Sequence, residues 1–155
     1  MKDNGQLKSL VRELQNEFKE DLKTVVLFGS RARGEAVAQS DYDIFAVIEN
    51  LPREPIARLR RVRTTLLKCP VRVNIIAKTK EEMDKNLTPL LLEICVDGIC
   101  LAGDAFFESY RQKALAGLKE AGLRKKRIGK DWFWEFDSIP KREWELQWEG
   151  FRELA

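Results

Sequence analysis

The chain has 155 residues, 44% apolar and 34% charged, with 9 Gly and 5 Pro, which fits one ordinary domain and excludes disordered, collagen-like and low-complexity chains. Its net charge of +3, from 28 Lys and Arg against 25 Asp and Glu, is too small to mark a nucleic-acid binder. Histidine is absent, which excludes Ser-His, Cys-His and His-ligated zinc mechanisms that draw on this chain alone.

Leu7, Leu10, Val11, Leu14 and Phe18 recur at helical spacing, with Asp3 or Asn4 as the expected N-cap. Val25 to Phe28 reads as a buried strand that ends at Gly29-Ser30. The polar stretch from Arg31 to Ser40 has room for a short helix, and Tyr42 to Ile48 is the next strand. Ile56, Leu59, Val62, Leu66 and Leu67 predict an amphipathic helix whose other face carries Arg58, Arg60, Arg61 and Arg63. Val71 to Ala77 reads as a third strand, with Arg72, Asn74 and Ile76 sharing one face. Thr79 and Glu82 have capping-box spacing for a further helix. Pro89 to Val96 is an apolar helix stopped at Gly98, Ile99 to Leu101 a short strand, and Asp104 the expected cap of a helix running to Gly122.

Strands alternating with helices predict an α/β domain over residues 1–122. The composition shifts after that point. Arg124 to Lys130 is a basic run, and residues 131–155 hold 7 of the 14 aromatic residues. Residues 123–155 are therefore read as a basic, then aromatic-rich, extension. Trp132, Trp134 and Phe136 alternate as in a strand, while Trp144, Trp148 and Phe151 are spaced as on a helix that would meet a second subunit or another protein. The acids that follow the basic run dilute its field, so a nucleic-acid partner is not expected. No apolar run reaches the ~20 residues of a membrane span, and the opening MKDNGQLKSL lacks a signal peptide's apolar stretch. A soluble, cytoplasmic protein is expected. Cys69, Cys95 and Cys100 fit no metal spacing and are read as buried free thiols.

The informative run is Gly29-Ser30-Arg31-Ala32-Arg33-Gly34, followed by Ser40-Asp41-Tyr42-Asp43. A strand that delivers Gly29-Ser30 to a turn lets backbone N–H groups approach an anion, and Ser30 adds a hydroxyl donor. Asp41 and Asp43 are one residue apart, so on a strand both carboxylates share a face. Such a pair calls for a positive group between them, and Mg²⁺ suits, being bound by one or two carboxylates plus substrate phosphates. A phosphate cradle beside a carboxylate pair is a layout for metal-assisted phosphoryl or nucleotidyl transfer.

The run GSRARGEAVAQSDYDIFAV resembles the signature of the DNA polymerase β-like nucleotidyltransferase superfamily, in its minimal-nucleotidyltransferase branch. The likeness extends more loosely over VRVNIIAKT and LLLEICVDGICLAG. It implies a small mixed sheet flanked by helices, Gly29 and Ser30 on the phosphates of an NTP, Asp41 and Asp43 on Mg²⁺, and Arg31 and Arg33 within reach of the phosphates or in structural ion pairs. It also implies a third acid on the next strand, where this chain has Asn74, whose amide can ligate a metal but cannot take a proton. Glu93 or Asp97 could stand in for that acid, although both are expected to face solvent.

Two functions follow from this likeness. One is transfer of a nucleoside monophosphate, AMP from ATP, onto a hydroxyl such as a tyrosine of a HEPN-type toxin for which the chain would serve as antitoxin. The other is a weak or inactive nucleotide-binding module that acts by binding a partner.

Overall fold

The computed structural model describes residues 4–154. The helix α1 (Asn4–Phe18) is followed by a 3-10 turn and the strand β1 (Leu22–Phe28). A cap at Asp3 lies outside the described residues. A four-residue helix, α2 (Gly29–Ala32), precedes β2 (Tyr42–Ile48), α3 (Pro55–Thr65) and β3 (Val73–Lys78). Then come α4 (Lys80–Lys85), α5 (Pro89–Asp97), β4 (Ile99–Ala102) and α6 (Asp104–Ala121). Four strands complete the chain: β5 (Leu123–Ile128), β6 (Asp131–Phe136), β7 (Trp144–Gln147) and β8 (Gly150–Glu153).

The central sheet has the order β3-β2-β1-β4. β1 pairs antiparallel with β2 and β4, and β2 pairs parallel with β3 across the α3 crossover. A mixed sheet is the result. Alternation along the strands divides its side chains between two cores. Val25, Leu27, Ile44, Ala46 and Ile48 face α1 and α3, joining Leu7, Leu10, Leu14, Phe18 and Val62. Val26, Phe28, Phe45 and Val47 face the other way, against Met83, Leu91, Ile94, Cys95, Phe107 and Tyr110. The sheet is thus covered by helices on both sides. Burial pushes the Cys95 thiol up to about 12.

Three local signals behave as chemistry dictates. Thr79 and Glu82 form the capping box of α4. Thr88 caps α5 by accepting from the Leu91 N–H. Gly122 ends α6 in the left-handed region. Asp104 does not cap α6; it is the first helical residue, and Gly103 precedes it at φ +74. A Cβ at Gly103 would stand 1.9 Å from the Lys23 carbonyl oxygen, so the close approach of two strands sets that residue. In α3 the helix exists, but Val62 is its buried residue while Ile56 and Leu59 are exposed, as is Leu67 beyond its end.

The C-terminal segment departs from the helical expectation. Residues 144–153 form a hairpin, with Gln147 opposite Gly150 and Trp148-Glu149 as the turn. Trp148 and Leu146 are buried in the core built on α5 and α6. The Trp148 indole donates to the Met83 carbonyl at 2.8 Å and meets the Tyr110 ring edge-on. The first hairpin pairs β5 with β6, and its basic run is matched largely within the chain. Arg124 meets Asp137, Lys126 meets Glu135, and Lys125 meets Asp97 of α5. Among the described residues no helix is long and apolar enough to cross a membrane.

Candidate nucleotide and metal site

The end of β1, the start of β2 and β3 converge at one margin of the sheet. Phe28 pairs with Asp43, and Asp43 with Asn74, in the two ladders that flank β2. Asp43 shares its face of the sheet with Phe45 and Val47, the face covered by α5 and α6. Gly29 adopts φ +73, and a Cβ there would lie 2.2 Å from Asp43 Oδ2. The glycine therefore does two things at once. It permits a left-handed turn out of β1, and its bare Cα leaves space for the carboxylate.

Asp41 precedes β2, at the mouth of the loop. The Asn74 amide donates to Asp41 Oδ2 at 3.2 Å and to Asp43 Oδ1 at 3.3 Å. Asp41 Oδ1 is out of solvent and accepts no hydrogen bond, although Arg72 Nε stands 3.0 Å from it. Arg72 also donates to the Gln39 carbonyl, and its own carbonyl accepts from the Tyr42 N–H at 2.9 Å. Without the Arg72 cation and the Asn74 amide the two carboxylates would repel across a short gap.

Among the described residues no three Asp, Glu, Cys or His side chains gather as a metal cluster. The oxygen set instead comprises two convergent carboxylates, with the Asn74 amide able to present its oxygen by rotation. That set fits a hard divalent cation held jointly by the protein and by phosphates of a bound substrate.

Arg31 and Arg33 have defined partners. The Arg31 guanidinium donates to the Ser40 carbonyl at 2.7 and 3.1 Å and lies 4.1 Å over the Tyr42 ring. It thereby closes the loop between α2 and β2. Arg33 donates to Glu35 at 3.3 Å and to Glu93 at 2.9 Å. Ser30 sits half-buried in the first turn of α2, and its carbonyl accepts from the Glu35 N–H at 2.9 Å.

Neither Glu93 nor Asp97 stands among the site carboxylates. Glu93 is held by Arg33, and Asp97, expected to face solvent, is largely buried in an ion pair with Lys125.

Two features had no local signal in the sequence. Arg72 meets Asp41 only because parallel pairing aligns β2 with β3. Glu35 receives the Trp132 indole N–H at 3.0 Å and Arg127 Nη1 at 3.2 Å, from residues more than 90 positions away.

The sequence pattern of the nucleotidyltransferase domain family matches residues 7–97. A candidate protein adenylyltransferase of Methanocaldococcus jannaschii, MJ1305, is 32% identical over 116 residues, which is 71% of this chain and 79% of the relative. A second one from the same organism, MJ0604, is 29% identical over 87 residues, 56% of this chain and 84% of its own. Among solved structures, a chain from a toxin–antitoxin crystal structure with AMP-PNP superposes with a TM-score of 0.55 at 19% identity, over 73% of this chain and 87% of its own. Another, from the tri-AMPylated Shewanella oneidensis HEPN toxin in complex with MNT antitoxin, gives 0.50 at 16% identity, over 76% and 90%. At such identities the likeness is one of fold.

Proposed function

The chain belongs to the nucleotidyltransferase domain family, and from that premise we propose that it transfers AMP from ATP, with Mg²⁺, onto a hydroxyl of a HEPN-type toxin partner. The observation that carries this reading is the convergence of Asp41 and Asp43 on one point, with Gly29 packed bare against Asp43. Gly29 and Ser30 receive the β- and γ-phosphates. Asp41 and Asp43 would hold the cation, which would supply charge neutralisation for the phosphates and for the departing pyrophosphate. Arg31 and Arg33, held by Ser40 and Glu93, stiffen the loop on which Ser30 sits, within reach of the same phosphates. Phosphoryl chemistry of this kind asks mainly for positioning and charge stabilisation, which these residues supply.

A protein acceptor is supported by the likeness to protein adenylyltransferases, and a HEPN-type toxin by the toxin–antitoxin pairs among the fold neighbours. The exposed Phe133 and Trp144 of the two C-terminal hairpins support a protein-facing surface, toward that toxin or a second copy of the chain.

A specific observation also favours a second reading. Asn74 donates to both carboxylates, where the family resemblance implies a third acid. An amide accepts no proton, and a general base contributes typically 10²–10⁴-fold. A nucleotide-binding module that acts by partner contact would tolerate that loss.

One incubation separates the two. ATP labelled at its α-phosphate and Mg²⁺ are supplied with the chain and the product of the neighbouring gene. The transfer reading expects label on a toxin tyrosine, lost when Asp41 and Asp43 are both changed to Asn. A tight, unlabelled complex would select the binding module instead, and an ATP affinity unaffected by the double substitution would remove the site.

A further inference from the structure

Glu35 joins two parts of the chain that sequence keeps far apart. Its Oε1 accepts from Trp132 Nε1 at 3.0 Å and from Arg127 Nη1 at 3.2 Å, both on the β5–β6 hairpin. Its Oε2 accepts from Arg33 Nε at 3.3 Å, and its backbone N–H donates to the Ser30 carbonyl at 2.9 Å. The side chain is only 23% exposed, so these are charge-assisted contacts in a partly dried setting. The hairpin has a second anchor, since Lys125 pairs with Asp97 on α5. Lys125 and Arg127 also sit 5.1 and 5.5 Å from the Trp132 ring centre, which holds the indole in place for its hydrogen bond. Residues 123–136 lie beyond residues 7–97, the stretch that matches the family pattern.

We propose that the β5–β6 hairpin is a brace for the nucleotide loop, and that Glu35 is the positioning residue through which it acts. The inference rests on the reading that Gly29 and Ser30 take the phosphates of an NTP. A peptide that carries Ser30 and is bonded to Glu35 keeps its orientation only while Glu35 is itself held. Arg127 and Trp132 hold it from one side and Arg33 from the other. Coupling of this kind is reciprocal: a hairpin that tightens nucleotide binding is itself tightened by nucleotide.

The test uses the full chain, AMP-PNP with Mg²⁺ as the probe, calorimetry for affinity, and amide hydrogen exchange for the hairpin. In the unaltered protein, AMP-PNP slows exchange across residues 123–136. Glu35→Gln weakens AMP-PNP binding by roughly 5–150-fold, the usual span of coupling between sites, and abolishes that slowing. Trp132→Phe keeps a ring but removes the N–H, and gives the same two changes with a melting temperature within about 2 °C of the parent. If Glu35→Gln melts far below the parent, Trp132→Phe alone decides. Parental affinity in Trp132→Phe, or hairpin exchange indifferent to AMP-PNP in the parent, overturns the brace and leaves the nucleotide site standing. A parent chain that binds no AMP-PNP overturns the nucleotide reading itself, and the brace with it.

Discussion

Asn74 holds the two site carboxylates together with the donor hydrogens of one amide. Asn74→Asp removes those donors and adds a third negative charge. The apo protein should lose stability, on the order of 1 kcal/mol, because the hydrogen bonds go and repulsion replaces them. Mg²⁺ affinity should rise in the same variant, and a proton acceptor becomes available. Calorimetric Mg²⁺ titration beside a urea melt checks both signs; weaker Mg²⁺ binding would show that the amide oxygen is the better ligand. Gly29→Ala is the sharpest steric probe. Its Cβ would meet Asp43 Oδ2 at 2.2 Å on a backbone at φ +73, so the carboxylate must swing away. Mg²⁺-dependent ATP affinity should drop about tenfold, equivalent to about 1.4 kcal/mol, and unchanged affinity would detach Gly29 from the site. The Asp41–Asp43 spacing was legible in the sequence because it is a local fact, and Asn74 was reached only through the family resemblance. The Arg72 contact with Asp41 was not legible, since it depends on which strand lies alongside β2.

Elements show where periodicity misleads. The apolar rows of α1 and α5 became core because the sheet lies beneath them, but the row on α3 buries Val62 and leaves Ile56 and Leu59 in water. A helical repeat names a face and does not say how much of it will be covered. Trp144, Trp148 and Phe151 fit a helix by spacing alone. The chain instead turns at Trp148-Glu149, where Gly150 at φ +130 takes a conformation costly for any other residue. Side chains on the strands and in the turn of a hairpin then imitate a helical interval. The Thr79 capping box was readable, and it carries a testable pH dependence. Burial pushes Glu82 upward, but the Thr79 N–H, the Arg58 guanidinium and the Thr79 hydroxyl together hold its carboxyl below the ordinary 4.5. A lowered carboxyl stabilises fully above that ordinary value and ceases to do so as pH falls through the lowered one. Glu82→Gln should therefore cost stability near pH 7 and cost progressively less below about pH 4. Urea midpoints over that range check it; a difference that persists at about pH 2 would assign the effect to shape rather than charge.

At the scale of the whole molecule, the C-terminal hairpins are structural members. Trp148 is 7% exposed, and Leu146 lies beside it in the core with α5 and α6. Trp148→Ala should cost about 3–5 kcal/mol, a Trp-to-cavity change, and deletion of residues 140–155 should unfold the domain rather than merely weaken association. Circular dichroism melts of both chains decide this. A deletion that melts like the parent would return the segment to a purely interfacial role. The alternation of helices and strands that defines the sheet could be read from residues 1–122, because each element announces itself within a few turns. The way residues 123–154 fold back could not, since its reasons are contacts with Met83, Asp97 and Glu35 across long stretches of chain.

The Glu35 brace also has a history within each molecule. It spans 92 residues to Arg127 and 97 to Trp132. A ribosome adding about 5–20 residues per second needs roughly 5–20 s to cover that distance. Gly29, Asp41, Asp43 and Asn74 are all made before the hairpin exists, so every newborn copy carries its loop unbraced for a time. A chain stalled near residue 122 would hold the site residues with neither the hairpin that fastens the loop nor the Trp148 side chain that completes the core.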